Sequence, residues 1–380
     1  MHLGSGDATT HAMRSRFNVP MGTYLLSHSV GCLPVGSEEA VRAGFYQPWR
    51  AAGGDAWPAW LGAVGAFRAG VARLTGARAD QICPQANVSS AVTKILHALP
   101  ERAGRDVILL CEEDFPSIGF VAAAAAARGY RTRFLPRGEA VEDVAVWEAA
   151  LAEDVQLAIV THAFSNRSAR LPVDAITQAA RERGAFSVVD AVQTVGVVPV
   201  DVAGWSADFV VGSSVKFLCG GPGAAFLWVS DAVLAQTRPI DVGWFSHANP
   251  FAFDIHDFEA AEDAARFWGG TPSVLPFVQA AHSIGVLLDI GVETIHAHNQ
   301  GLIQKIHDAL PPACIRSARD RDRRGNAVLI AVDDPAATLA ALRGKAVFVD
   351  AREGCLRLAP HIYNTSGDID ALLAALHPAM

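Results

Sequence analysis

The chain has 380 residues, of which 51% are hydrophobic and 18% are charged, a composition typical of a globular protein with a large core. Its formal net charge of −8 excludes the basic surface that non-specific nucleic-acid binding requires, so no nucleic-acid partner is expected. No segment approaches about 18 uninterrupted apolar residues, so no membrane association is expected either.

The cysteines and histidines lack the spacings that disulfide frameworks and metal sites use. The 13 histidines show no metal-binding pattern, so no metal is predicted. Residues 1–17 lack the apolar run of a secretory signal, which favours a cytoplasmic protein. The scattered positions of the six cysteines also favour reduced thiols in a cytoplasmic protein. These cysteines are Cys32, Cys83, Cys111, Cys219, Cys314 and Cys355.

In chain order, the segment from about residue 60 to residue 230 alternates short β-branched runs with alanine-rich runs. Strands are predicted at 106–115, 132–136, 155–164, 186–192, 208–214 and 224–230, and helices at 119–130, 141–153 and 173–184. Gly129 and Gly184 are predicted to end two of these helices. Continuous apolar strands separated by helices indicate a mostly parallel sheet that is covered on both faces.

The pattern changes after residue 271 and indicates a smaller α+β domain. Helices are predicted at 272–291, 293–310 and 368–378, and strands at 327–332, 345–351 and 355–360. The charge-rich segment 316–326 is interpreted as a solvated turn between strands. We therefore divide the chain into an N-terminal arm at 1–25, a large domain at 26–265 and a small C-terminal domain at 266–380.

Two polar segments are predicted at the carboxyl ends of strands, where open α/β sheets bind ligands. Residues 87–90 open a helix with an asparagine and two serines, and free N–H groups there can hold a phosphate. An ordinary helix cap is the alternative. Phe115 follows a strand and can stack on a flat heterocycle, although a core phenylalanine in a turn gives the same pattern.

An acidic residue and a lysine end two apolar runs that lie close together in the chain. Lys216 is the only cation between residues 190 and 230, and a lysine in such apolar sequence indicates a chemical role. Pyridoxal phosphate requires a lysine that forms a Schiff base and a carboxylate, here Asp190, that keeps its pyridine ring protonated. The alternatives are a surface lysine and a helix-capping aspartate.

The spacing of residues 190–193, 213–216 and 220–223 resembles the class V aminotransferase group of fold-type I pyridoxal-phosphate enzymes. That group includes kynureninases, isopenicillin N epimerase-like proteins and cysteine desulfurases, and the resemblance extends over nearly the whole chain. It implies an α/β fold-type I transferase, with a mostly parallel seven-stranded sheet in the large domain and a smaller α+β domain. It also implies pyridoxal 5'-phosphate as the cofactor and a homodimer with a shared active site.

The resemblance assigns roles to individual residues. It implies that Lys216 is the catalytic residue and carries protons once the substrate amine has displaced it. It implies that Arg357 pairs with the substrate α-carboxylate, a task that suits a bidentate guanidinium. The other implied substrate contacts are His28, Trp244 and His247. The implied cofactor contacts are Val88, Ser89, Phe115, Asn166, Asp190, Gln193, Ser213, Lys216 and, from the partner subunit, Thr271.

The chain departs from two members of the group. Cysteine desulfurases carry a cysteine on a mobile loop, whereas Cys355 is predicted to share a strand with Arg357, which disfavours persulfide chemistry. Kynureninases usually have tyrosine before the lysine and histidine at the position of Gln193. This chain has Val215 before the lysine, so hydrolysis of kynurenine is disfavoured.

The favoured interpretation is a pyridoxal-phosphate enzyme that acts on an amino acid through an external aldimine. Within the kynureninase and epimerase-like subgroup, a β-lyase that cleaves a carbon–sulfur or carbon–carbon bond is preferred. An aminotransferase that passes the amino group to a keto acid is the first alternative. A non-catalytic cofactor-binding protein is the second, and the joint presence of Asp190, Lys216 and Arg357 disfavours it.

Overall fold

The computed structural model describes residues 11–376, so residues 1–10 of the predicted N-terminal arm lie outside the described part of the chain, as do residues 377–380. The N-terminal segment contains three two-residue strands, which are β1 (Phe17–Asn18), β2 (Thr23–Tyr24) and β3 (Leu33–Pro34). β1 and β3 pair antiparallel. Phe17 is buried in this pairing, so the segment is anchored on the main core.

Helices occupy most of the chain between β3 and the main sheet. The longest, Trp57–Thr75, ends at Gly76, which has φ 68°, a left-handed conformation that glycine adopts without strain. It packs along helix Leu275–Ile290, with the rings of Phe67 and Phe277 4.9 Å apart. The shorter elements are the helices Ser37–Val41 and Gln47–Ala52, the π-helix Arg42–Tyr46 and the 3-10 helix Gly53–Ala56.

The main sheet has seven strands, which are β4 (Ile82–Gln85), β5 (Val107–Cys111), β6 (Arg131–Leu135), β7 (Val155–Thr161), β8 (Phe186–Asp190), β9 (Phe209–Ser213) and β10 (Ala225–Val229). Their spatial order is β4-β10-β9-β8-β7-β5-β6. β10 runs antiparallel to both neighbours, and the other pairs are parallel. The predicted mostly parallel seven-stranded α/β sheet is therefore confirmed.

The central strands of the sheet are buried on both faces because they are mostly apolar, whereas the edge strand β6 is largely exposed. In β7 all seven residues are buried, and successive side chains enter opposite cores. Val160 lies in one core cluster, whereas Leu157 and Ile159 lie in the other. Crossover helices cover the two faces, and they are Val88–Ala98, Pro116–Ala124, Val144–Ala150 and Val173–Glu182.

The C-terminal part builds a separate small core. After helices Leu275–Ile290 and Val292–Ala309 come β11 (Val328–Ala331), helix Pro335–Gly344, β12 (Val347–Phe348), β13 (Asp350–Arg352), β14 (Cys355–Leu358) and helix Ser366–Leu376. β11, β14 and β13 form an antiparallel sheet, and β12 pairs with β2. Leu25 belongs to this small core, which otherwise contains residues from Leu302 onward. The domain boundaries at 26–265 and 266–380 stay predictions.

The long helices of this part also bear on membrane association. Among residues 11–376, no single helix is long and apolar enough to cross a membrane. The pair Leu275–Ile290 and Val292–Ala309 meets the length and composition criteria only jointly, and it is bent by 78° at its junction.

The interpretation of residues 316–326 as a wholly solvated turn is wrong. Arg324 is 1% exposed, and its guanidinium donates to Gln300 Oε1 at 2.6 Å and to Arg319 O at 3.3 Å. Its neighbour Arg323 forms an ion pair with the buried carboxylate of Glu142. The charged segment is thus anchored to helix Val292–Ala309 and to the large sheet domain by specific polar contacts.

Candidate functional site

A cavity lies at the carboxyl ends of the central parallel strands, where the fold is expected to bind ligands. Its volume of about 280 Å³ lies near the lower end of the range of small-molecule sites. Strand ends and helix starts supply its wall because the chain leaves the sheet here at each crossover. Among the residues that line it are Val88, Ser89, Phe115, Asp190, Gln193, Ser213 and Lys216. The structure thus brings together seven of the predicted site residues.

Lys216 projects into this cavity from the turn that follows β9. Burial lowers the pKa of its amine to about 8, the carboxylate of Asp190 opposes this shift, and the guanidinium groups of Arg357 and Arg352 add to it. The Lys216 amine lies 5.3 Å from the ring centroid of Phe115. An amine with this pKa reaches its neutral, nucleophilic form close to physiological pH, which a surface lysine does not.

Asp190 ends β8 as a buried carboxylate at the cavity wall. Its Oδ1 accepts a hydrogen bond from Val192 N at 2.9 Å, and burial raises its pKa, while that bond and the Lys216 charge act in the opposite sense. No residue in the described range 11–376 donates a side-chain hydrogen bond to this carboxylate. A protonated heterocyclic nitrogen therefore suits this position, because it would supply the missing charged donor.

The helix Val88–Ala98 presents its N-terminus to the same cavity. Asn87 caps the helix, since its Oδ1 accepts from Ser90 N at 2.8 Å and from Ser89 Oγ at 2.8 Å. The cap satisfies one of the free N–H groups of the first turn, so other N–H groups of the turn remain available to an anion. Capping by Asn87 is therefore compatible with anion binding by the remaining N–H groups, and the residues fit the phosphate end of pyridoxal phosphate.

Phe115 lines the cavity beside helix Pro116–Ala124, and the preceding Asp114 lines a neighbouring cavity. The Phe115 side chain is 40% exposed, so it is not the core residue of the alternative interpretation. Asp114 accepts from Thr161 Oγ1 at 2.6 Å and from Cys111 N at 2.8 Å, while burial, Asp190 and Glu113 raise its pKa to about 7. These two bonds fix the loop that presents the Phe115 ring to the cavity.

Asn166 does not line the Lys216 cavity itself. It lines a neighbouring cavity together with Arg352, and Ser165 lines both cavities. The buried Oδ1 of Asn166 has no hydrogen-bond partner within residues 11–376. Gln193, which lines the Lys216 cavity, donates weakly to His28 O at 3.5 Å. Asn166 is therefore placed near the cofactor cavity with an unused acceptor.

The buried side chains of His28 and Arg357 meet the partly exposed carboxylate of Asp350. Arg357 donates from Nε to Asp350 Oδ1 at 3.0 Å, from Nη2 to Asp350 Oδ2 at 2.6 Å and from Nη1 to Ser165 O at 2.7 Å. His28 Nε2 lies 3.1 Å from Asp350 Oδ1 without the geometry of a hydrogen bond, and burial lowers the His28 pKa to about 4. The sequence interpretation found Arg357 and His28 but missed Asp350, which joins them.

Trp244, His247 and Thr271 do not line the Lys216 cavity. Trp244 Nε1 donates to Thr271 Oγ1 at 3.3 Å, and Thr271 lines a separate depression next to helix Val88–Ala98. His247 contacts Asp257 O at 2.9 Å in a third depression. Within residues 11–376, no cluster of three or more histidine, cysteine or acidic side chains is arranged to hold a metal ion.

Comparison with known proteins identifies the family. The family described as "Aminotransferase class-V" matches residues 61–372. An uncharacterized aminotransferase, YcbU, of Bacillus subtilis is 28% identical over 302 residues, 78% of this chain and 79% of YcbU. A kynureninase of Deinococcus radiodurans is 30% identical over 313 residues, 79% of this chain and 74% of the kynureninase.

The fold comparison agrees with the sequence comparison. An apo cysteine desulfurase from Thermococcus onnurineus NA1 superposes with a TM-score of 0.85 at 19% identity, covering 100% of this chain and 98% of the desulfurase. At this identity the likeness shows the fold alone. The resemblance to the class V group is confirmed: the chain belongs to the class-V aminotransferase family of fold-type I enzymes that depend on pyridoxal phosphate.

Proposed function

We propose that this enzyme is a β-lyase that acts on an amino acid and cleaves a carbon–sulfur or carbon–carbon bond. The observation that carries the proposal is the cavity in which Lys216, Asp190 and Phe115 meet. Pyridoxal phosphate supplies an electron sink for the carbanion at the substrate Cα. The chain's own residues then decide where protons move, and that choice separates elimination from transamination.

Each predicted contact has a specific task in this proposal. Asp190 binds the ring nitrogen, Phe115 stacks on the ring, and the helix start at Val88 and Ser89 binds the phosphate with the help of Ser213. Asn166 and Gln193 hydrogen-bond the ring substituents. These assignments are supported by the shared cavity, by the free Oδ1 of Asn166 and by the cap geometry at the helix start.

Lys216 is the proton carrier of the proposal. The pKa of about 8 lets its amine accept a proton from Cα near neutral pH and return it to a leaving group. Arg357 binds the substrate α-carboxylate, and His28, buried beside Asp350 with no hydrogen-bonded ring nitrogen within residues 11–376, contacts the substrate. A buried lysine with this pKa is difficult to reconcile with the non-catalytic alternative.

A homodimer completes the site in this proposal. Trp244, His247 and Thr271 lie off the Lys216 cavity, and we assign them to the cavity of the partner subunit. An exposed apolar surface near them supports the assignment, since Phe253 is 76% exposed and Ile255 is 91% exposed. Six unpaired cysteines support a cytoplasmic location.

The aminotransferase alternative is favoured by the similarity to YcbU and is separated from the lyase by products. Purified holoenzyme is incubated with single amino acids, including cysteine, cystine, aspartate and kynurenine, without any keto acid. Over many turnovers, carbon–sulfur cleavage releases pyruvate, ammonia and sulfide from cysteine or a persulfide from cystine, whereas hydrolytic carbon–carbon cleavage of kynurenine releases alanine and the matching aromatic acid. Conversion of the cofactor to its pyridoxamine form in one stoichiometric turnover, with multiple turnovers only after a keto acid is added, would overturn the lyase proposal.

A further inference from the structure

The turn that carries Lys216 has an unusual set of hydrogen bonds. Each of the four consecutive carbonyl groups from Val215 to Leu218 accepts a hydrogen bond. The donors are Gly31 N at 3.0 Å to Val215, Cys219 N at 2.9 Å to Lys216, His361 Nε2 at 2.9 Å to Phe217 and Ser283 Oγ at 2.5 Å to Leu218. Three of these donors come from distant parts of the chain, so tertiary structure holds the turn from several sides.

The geometry defines the role of the His361 ring. Its Nδ1 accepts a hydrogen bond from Ile362 N at 2.8 Å, so the ring proton must lie on Nε2, which donates to Phe217 O. The ring is fully buried and stacks on Tyr363 at 4.9 Å with a 7° interplanar angle. Burial lowers the pKa of His361 to about 4, so the neutral donor persists at neutral pH.

The backbone at Gly31 leaves no free space beside the turn that carries Lys216. A Cβ at Gly31 would lie 2.2 Å from Lys216 O and 2.6 Å from Cys219 Sγ, so the N-terminal segment packs directly on the turn. Cys219 has φ 55°, a left-handed conformation that costs a non-glycine residue free energy. A strained turn persists only where its surroundings hold it, and His361 supplies one of the side-chain hydrogen bonds that do so.

We propose that His361 is a positioning residue for Lys216. By holding the carbonyl of the next residue, Phe217, it fixes the backbone from which the lysine side chain projects toward Asp190 and Phe115. The proposal goes beyond the proposed function, because it applies to whichever bond the enzyme cleaves. It also gives the C-terminal segment that follows β14 a direct connection to the reactive amine.

Two substitutions separate the hydrogen bonds of His361. In His361→Gln the side-chain amide nitrogen lies near the former Nε2 position and can still donate to Phe217 O. In His361→Asn the amide oxygen lies near the former Nδ1 position and can accept from Ile362 N, but the donor to Phe217 is lost. The glutamine variant therefore keeps the donor to Phe217 O, the asparagine variant keeps the acceptor for Ile362 N, and both remove the stacked ring.

The two quantities measured are the rate of cofactor attachment to Lys216 and hydrogen exchange in its turn, not catalytic turnover. In His361→Asn we expect the rate at which cofactor becomes covalently attached to Lys216 to fall about tenfold, the usual effect of one lost buried hydrogen bond. We also expect amide hydrogen exchange across residues 213–220 of the cofactor-free protein to accelerate. His361→Gln should retain attachment to within about twofold of the parent protein and restore protection of this segment.

His298 provides the matched control, since its Nε2 contacts Asn364 O at 2.8 Å and it makes no hydrogen bond to the lysine turn. His298→Asn should lower the melting temperature but leave the attachment rate and the exchange of residues 213–220 unchanged. Equal attachment rates in the asparagine and glutamine variants of His361 would overturn the positioning role and leave a structural one. If His361→Asn does not fold, His361→Gln carries the test alone, and a tenfold loss of attachment rate in this variant, which keeps the donor to Phe217 O, would overturn the proposal.

The outcome is independent of the proposed reaction. Failure of the lyase proposal would appear in the products, whereas the positioning proposal is judged on cofactor attachment and on hydrogen exchange without cofactor. If Lys216→Ala still retains covalently bound cofactor, the lysine assignment itself is wrong, and that result is distinct from any result with the His361 variants.

Discussion

Arg357 and Asp350 form a bidentate ion pair across neighbouring strands, with 3.0 Å between Nε and Oδ1 and 2.6 Å between Nη2 and Oδ2. The two residues are direct partners in the register of β13 and β14. The Asp350 carboxylate thus occupies one edge of the Arg357 guanidinium. We assign this same guanidinium to binding of the substrate carboxylate. Ser165 O holds Nη1, so the arginine is oriented before a substrate arrives.

Asp350 is expected to orient Arg357 rather than to compete with the substrate. Asp350→Asn removes the charge that pairs with the guanidinium but keeps an acceptor of the same shape. We expect the KM for amino-acid substrates to rise about tenfold with a smaller change in kcat, as for a lost charged hydrogen bond. Steady-state kinetics check this, with Glu353→Gln on the same hairpin as the control. A lower KM in Asp350→Asn would mean that the aspartate competes for Arg357.

Arg357→Lys keeps the positive charge but loses the planar pair of donors. We expect kcat/KM for amino acids to fall by roughly 10²-fold or more, because a lysine cannot reproduce bidentate binding. Cofactor affinity, measured by titrating the cofactor-free protein and following its visible absorbance, should change by less than about threefold, since Arg357 is not part of the cofactor cavity wall. An equal loss of cofactor affinity would indicate that Arg357 is structural.

The buried amine of Lys216 should make the cofactor-free protein more stable as pH rises. The folded-state pKa of about 8 is lower than the unfolded value of about 10.4, so the unfolded chain binds more protons between these values. Below pH 8 the Lys216 amine is protonated in both the folded and the unfolded state, so the free-energy penalty for burying its charge is fully present. This penalty falls as the pH rises between the two pKa values, because the folded state loses its proton first. Lys216→Met should therefore be more stable than the parent at pH 7, by up to about 3 kcal/mol.

Urea unfolding of the cofactor-free proteins at several pH values measures this difference. The gain in Lys216→Met should shrink steadily between pH 8 and pH 10, whereas Lys305→Met, which removes a more exposed lysine, should show no such trend. Competitive labelling of the Lys216 amine should give a midpoint near pH 8. A midpoint above pH 10 would show that the amine is solvated and that the assigned burial is wrong.

Asp190 should be essential for cofactor binding in a way that other buried carboxylates are not. Asp190→Ala removes the one carboxylate that lines the Lys216 cavity among residues 11–376, and we expect cofactor affinity to fall by about 10²-fold, as when a buried charged pair loses one partner. Asp208 is a matched control, because burial also raises the pKa of this partly buried carboxylate, which accepts from Ser187 N at 2.8 Å. Asp208→Ala should lower stability but leave cofactor affinity unchanged, and an equal loss in both would contradict the assignment.

The sequence predicted the parts of the site that follow from strand order. Asp190 and Lys216 each follow an apolar strand of a parallel sheet, and the carboxyl ends of such strands meet at one edge, so their proximity could be inferred. The Asp350–Arg357 pair could not, because it depends on the register of a hairpin whose turn contains Glu353 at φ 51° and Gly354 at φ 79°. Contacts between distant segments, such as that of His361 with Phe217, have no local sequence signal.

For Arg324 the sequence interpretation was wrong. The charged composition of its segment indicated an exposed side chain, whereas the fold buries it. The charge-rich segment resembles a surface turn, yet the Arg324 guanidinium is enclosed by neutral acceptors, which include Gln300 and Gln304. Within residues 11–376 no carboxylate forms an ion pair with it. Burial lowers the pKa of Arg324, although an arginine remains charged under ordinary conditions. Sequence pattern alone does not reveal such a buried cation, because its side-chain acceptors come from helix Val292–Ala309, outside the charged segment.

Arg324 is therefore expected to contribute to stability. Arg324→Ala should destabilise the protein by about 2–4 kcal/mol, because it leaves the buried acceptors Gln300 Oε1 and Gln300 O unpaired and opens a cavity. The adjacent Arg323, with a side chain 54% exposed, is the matched control. Arg323→Ala loses a partly exposed ion pair and should cost about 1 kcal/mol or less. Urea unfolding of both variants measures the difference, and similar losses would mean that Arg324 is solvated in solution.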